Sequence, residues 1–130
     1  MARSGNLSSS TYIYVNPKQT ITLADVKEYL LYYQDITAKT GDQLNWDYSS
    51  HAFPYTIQEK ETDEGNYLLL YGQLDRYNAL LIGVHEEDGY IQITLPDTAK
   101  HGDKSKANEL AKFLAKKTKG KIKLFNGRMM

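Results

Sequence analysis

The sequence predicts an α+β fold, a two-layer sandwich in which two helices lie on one face of a mostly antiparallel sheet. Three observations carry this reading. Two segments show helical apolar periodicity, two pairs of strand-like runs are joined by tight-turn residues, and 130 residues suit a single core. Consecutive hairpins make neighbouring strands antiparallel, and two amphipathic helices are enough to cover only one sheet face well.

Residues 1–10 hold one Arg among Gly, Asn and Ser and are read as a flexible lead-in, with 11–130 as one domain. Thr11 to Val15 alternates as a strand does, Tyr12 and Tyr14 on one face and Ile13 and Val15 on the other, until Asn16-Pro17 breaks it. Thr22 with Asp25 makes a capping-box-like helix start. From there Leu23, Val26, Tyr29, Leu30, Tyr33 and Ile36 fall within an arc of about 140°, the width of a helix lying on a core. Gly41 is expected to stop this helix and a long aromatic loop to occupy 42–55.

Tyr55 to Thr62 and Tyr67 to Tyr71 read as a hairpin around Asp63-Glu64-Gly65-Asn66. Ala79 to Val84 and Tyr90 to Leu95 read as a second, turned by Asp88-Gly89, and Pro96 ends it. Asp103 is the expected N-cap of a second helix reaching about Thr118, with Ala107, Leu110, Ala111, Leu114 and Ala115 as its apolar stripe and Gly120 as its stop. Lys121 to Phe125 is a short final strand with Ile122 and Leu124 inward. The resulting β-α-β4-α-(β) order resembles TATA-binding-protein-like and helix-grip folds in topology, which implies no function.

Composition excludes several classes. Hydrophobic residues make up 41% and charged residues 25%, an ordinary globular balance. The longest apolar run, Ala79 to Val84, is far short of the roughly 20 residues a membrane helix needs, so no membrane partner is expected. Residues 1–10 lack the apolar core of a secretory signal. The absence of cysteine removes disulfides, thiolate zinc sites and thiol nucleophiles, and cytoplasm is the expected compartment.

Charge is divided along the chain. Residues 1–96 hold six Lys or Arg against thirteen Asp or Glu, a net −7, and residues 97–130 hold ten against three, a net +7. Lys104, Lys112, Lys116 and Lys119 lie opposite the apolar stripe of the second helix and form a candidate basic patch. Such a patch can meet phosphates or an acidic partner. Nine of the ten cations are lysine, a point charge without the bidentate fork of arginine, and only Phe113 and Phe125 lie among them to stack bases. A solvated lysine face therefore stands beside nucleic-acid binding as a reading. Opposite charges on two parts of one chain also raise self-association.

The segment Trp46, Tyr48, His51, Phe53 and Tyr55 is the candidate ligand- or partner-binding set, because aromatics dominate interface energies. The alternative is a flap folded onto the core edge. Tyrosine is abundant elsewhere too, with eleven in the chain, and suits both sheets and interfaces. His51, His85 and His101 are too far apart in sequence for a helical ligand pair, and the acidic run His85 to Asp88 lacks calcium-loop spacing, so no metal is assigned. No serine stands in a nucleophile elbow and no glycine loop cradles phosphate, so no catalytic residue or cofactor is assigned.

The stretches Ile21-Thr22-Leu23, Val26 to Tyr33, Ile36 to Gly41 and Ala52 to Ile57 together resemble a small family of bacillar proteins known only as domain of unknown function 1885. The resemblance spans most of the chain after the lead-in. It implies a bacterial cytoplasmic protein and carries over no catalytic or binding residue. The residues themselves favour a non-enzymatic protein- or peptide-binding or regulatory domain, with nucleic-acid binding through the basic end as the alternative. A small-molecule site or hydrolase beneath the 42–55 loop is the third reading.

Overall fold

A computed structural model describes residues 8–44, 53–63, 65–72, 77–123 and 129. Its elements in chain order are β1 (Ser8–Tyr14), α1 (Leu23–Leu44), β2 (Tyr55–Thr62), β3 (Gly65–Gly72), β4 (Ala79–His85), β5 (Tyr90–Pro96), α2 (His101–Thr118) and β6 (Lys121–Lys123). The fold is α+β. All pairings are antiparallel, in an open six-stranded sheet of order β2-β3-β4-β5-β1-β6.

The period-2 pattern decides which side of each strand is buried. Ile13, Leu68, Leu70, Leu80, Ile82, Ile91 and Ile93 are wholly buried and point to the same layer as the stripes of the two helices, Val26 and Leu30 from α1 and Leu110 and Leu114 from α2. Leu23, Tyr29 and Tyr33 pack at the rim of this core. The two helices thus share one face of the sheet. Element order agrees with β-α-β4-α-β, and nothing beyond that order supports the TATA-binding-protein-like or helix-grip comparison.

Several element boundaries differ from the sequence expectation, three of them for a clear local reason. β1 begins at Ser8 rather than Thr11, because Ser8, Ser9 and Ser10 pair with Pro96, Leu95 and Thr94 on β5. α1 continues through Gly41 to Leu44, since a glycine inside a helix costs only about 1 kcal/mol against alanine. The aromatic segment is shorter by those three residues. β6 is described over Lys121–Lys123, and Leu124 and Phe125 of the expected strand lie outside the described residues.

α2 starts three residues earlier than expected, with Lys100 as N-cap and Asp103 as the third helical residue. The Asp103 carboxylate accepts the Lys100 backbone N–H at 2.9 Å, as a capping-box acid does, while its second function is remote in sequence. It also accepts the Asn78 N–H at 2.9 and 3.1 Å and the Tyr55 hydroxyl at 2.5 Å, and it is wholly buried. One carboxylate thereby joins the start of β2, the approach to β4 and the positive end of α2.

At the other end of α2 the left-handed residue is Lys119, at φ 53°, and not Gly120. Gly120 is required by proximity instead. A Cβ there would clash with the Tyr14 carbonyl oxygen, so the missing side chain lets the turn into β6 lie directly on β1.

Candidate functional site

Trp46, Tyr48 and His51 lie outside the described residues. Phe53 and Tyr55 are interior side chains, 4% and 1% exposed. Phe53 packs between Tyr33 and Tyr55, and Tyr55 meets Tyr77 edge-on, so this part of the aromatic segment is core. Burial and the Asp103 carboxylate beside it push the Tyr55 phenol far above its ordinary pKa, which keeps it a hydrogen-bond donor.

The basic end divides between the two layers. Lys104, Lys112 and Lys116 are exposed on α2, and Lys119 is exposed just beyond it. Lys117 sits over the Tyr32 ring at 4.5 Å and near the Phe113 ring at 5.7 Å. Lys106 does not belong to a surface patch: it is buried and paired with Glu109 at 2.6 Å. Lys121 and Lys123 take the opposite side of the molecule, because Ile122 between them faces the core.

That opposite side is the sheet face which neither described helix covers. Strand registers assemble on it two cross-strand rows that sequence spacing does not reveal. The first runs His85, Tyr90, Tyr14, Lys121 over β4, β5, β1 and β6. The second runs Gly83, Gln92, Tyr12, Lys123 over the same strands. Each row carries on β6 an ammonium group beside a tyrosine of β1. The period-2 pattern of Tyr12-Ile13-Tyr14 is the signal for the outward tyrosines, but only pairing with β6 sets lysines next to them.

The face has defined geometry. His85 stacks on Tyr90 with ring centres 4.2 Å apart, and Tyr90 meets Tyr14 at 5.6 Å and Tyr12 at 5.7 Å. Tyr14 remains 38% exposed. A polar ladder fixes the second row and its neighbours. His85 Nε2 and Gln92 Oε1 lie 3.0 Å apart, Gln92 Nε2 donates to Ser10 Oγ at 3.1 Å and Thr94 Oγ1 at 3.2 Å, and those two hydroxyls are 2.9 Å apart. The cluster desolvates the Tyr90 phenol and Asp88 adds negative charge beside it, both of which raise its pKa. Glu86, Glu87 and Asp88 project, exposed, from the turn below the first row.

A cleft of about 600 Å³ opens at the hairpin-turn end of the sheet, between Leu23, Glu59, Tyr67, Gly83, His85 and Glu86. Among the described residues no group of three or more His, Asp or Glu side chains is placed to hold a metal ion. No described helix is long and apolar enough to cross a membrane.

A family model described as "Domain of unknown function (DUF1885)" matches residues 9–130. A crystal structure of a protein of unknown function from Bacillus stearothermophilus is 42% identical, with 89% of this chain and 92% of that one covered and a TM-score of 0.59. No curated protein matches the chain.

Proposed function

The chain belongs to the DUF1885 family, and on that premise we propose that it is a protein-binding domain whose sheet face opposite the described helices receives an acidic segment of its partner. One observation carries the reading: Tyr14 lies beside Lys121 and Tyr12 beside Lys123 on that face. A tyrosine offers a large rigid contact area with a polar tip, and a neighbouring ammonium group supplies selectivity for carboxylates. The described outward positions of β1, β5 and β6 carry no acid: they are Ser10, Tyr12, Tyr14, Tyr90, Gln92, Thr94, Pro96, Lys121 and Lys123. An acidic chain crossing them meets only neutral groups and cations.

The same juxtaposition favours a second reading, single-stranded nucleic acid stacked on tyrosines and steered by lysines. One feature weighs against it: the rings pack against one another at 5.6–5.7 Å instead of standing apart as free platforms.

Fluorescence anisotropy separates the two with a labelled Glu/Asp-rich peptide bearing one aromatic anchor and a labelled oligouridine. The peptide is expected to bind more tightly at equal salt, and the pair Lys121→Glu with Lys123→Glu to weaken it at least tenfold. Tighter oligouridine binding replaces the reading with nucleic-acid recognition. Peptide binding indifferent to both lysine changes and to Tyr14→Ser removes the sheet face from either reading.

A further inference from the structure

The proposed docking face has an internal symmetry that names its occupant. Around the boundary between β5 and β1, the strand order β4-β5-β1-β6 places β4 and β6 at equal distances on either side, and neighbouring strands lie about 4.8 Å apart. A two-fold axis parallel to the strands at that boundary brings two copies face to face with each row lying over itself. β1 of one copy then faces β5 of the other, and β6 faces β4.

The chemistry at each position suits that superposition. In the first row Tyr14 comes to face Tyr90 and Lys121 comes to face His85, immediately next to Glu86 and Glu87 at the turn. In the second, Tyr12 faces Gln92 and Lys123 faces Gly83. A side chain at Gly83 would meet nothing within 4 Å, so the position is open to an incoming lysine. The contact between Lys121 and the acidic turn forms twice, because in a two-fold interface the acidic turn and lysine strand of each copy meet the opposite groups of the other. Face-to-face sheets pack about 10 Å apart, which two tyrosines, or a lysine and a turn glutamate, can span.

We propose that a second copy of this chain occupies the open face, with Lys121 of each copy meeting the Glu86-Glu87 turn of the other and Lys123 entering the space at its Gly83. This rests on the binding reading above and names the acidic segment as the chain's own β4–β5 turn. The partner is thus the protein itself, in an isologous dimer built on tyrosine contacts and two pairs of opposed charge.

Sedimentation equilibrium of the full chain at low and high salt tests it, followed by two charge reversals. Wild type is expected at twice the 14.9 kDa chain mass at low salt, with weaker association at high salt. The variant Lys121→Glu/Lys123→Glu and the variant Glu86→Lys/Glu87→Lys should each associate at least tenfold more weakly, since each sets like charges together. Mixed in equal amounts, the two should form a heterodimer that neither forms alone, because both contacts regain opposite charges. Restoration on mixing also shows that neither variant failed merely by unfolding.

A monomer at every concentration and salt overturns the dimer, as does a dimer unaffected by both reversals or a mixture that stays monomeric. The binding reading fails separately. A monomer that still takes up the acidic peptide through Lys121 and Lys123 keeps that reading and loses this one, whereas a monomer that takes up neither loses both.

Discussion

The Tyr55 hydroxyl donates a 2.5 Å hydrogen bond to Asp103, a carboxylate 48 positions later in the chain, and both groups are buried. The contact joins the start of the edge strand β2 to the first turn of α2. The same carboxylate satisfies the N–H groups of Asn78 and Lys100, so it serves three separate segments.

Asp103→Ala leaves those donors buried without an acceptor, and the expected loss is about 3–5 kcal/mol of unfolding free energy. Tyr55→Phe removes one bond and keeps the ring between Phe53 and Tyr77, so about 1–2 kcal/mol is expected. Urea melts of the two variants check the order. Equal losses, or a smaller loss for Asp103→Ala, would show that the carboxylate does not join the three segments energetically.

Alkaline pH tests the same bond from its proton. The Tyr55 pKa is raised in the folded state, so above the unfolded phenol value of about 10 the unfolded chain has released a proton that the folded chain retains. Stability from this group is therefore complete below that pH and declines above it, by at most about 1.4 kcal/mol per pH unit. Between pH 9.5 and 11.5 the wild type should lose stability more steeply than Tyr55→Phe. Parallel slopes would mean that the phenol ionises as readily in the folded chain as in the unfolded one.

The turn between α2 and β6 supplies a pair of opposite effects on adjacent residues. Lys119 occupies the left-handed region at φ 53°, so Lys119→Gly should stabilise by about 1 kcal/mol. Gly120→Ala should destabilise by about 1–3 kcal/mol, because its Cβ would crowd the Tyr14 carbonyl, a backbone atom with no freedom to swing away. Thermal melts should move up for the first and down for the second. Assigning the left-handed position to Gly120, as sequence alone suggests, predicts no gain from Lys119→Gly.

Local chemistry explains what was legible in the sequence. The alternation of Tyr12-Ile13-Tyr14-Val15 identifies the buried side of β1, and the stripe Ala107, Leu110, Ala111, Leu114, Ala115 identifies that of α2, because period and burial are properties of one segment. The rows on the open face were not legible, since Lys121 and Lys123 meet Tyr14 and Tyr12 only through pairing of the first strand with the last. Asp103 lies three positions further into the helix than the N-cap its sequence suggests, for a related reason. A buried carboxylate that binds Tyr55 and Asn78 looks, in sequence alone, like an ordinary helix cap.

Gly83 offers a last prediction in which folding and association respond with opposite signs. It sits within β4 on the open face, where an added side chain meets nothing within 4 Å. Glycine loses more backbone freedom on folding than other residues and has no side chain to pack, so Gly83→Thr should stabilise the folded chain by about 0.5–1 kcal/mol. The new side chain would also fill the space that receives Lys123 of the second copy in the proposed dimer. Urea melts at low protein concentration should therefore show a gain, while sedimentation of the same variant shows weaker association. A gain in stability with association unchanged would place the second copy away from Gly83, and so away from the β5–β1 axis.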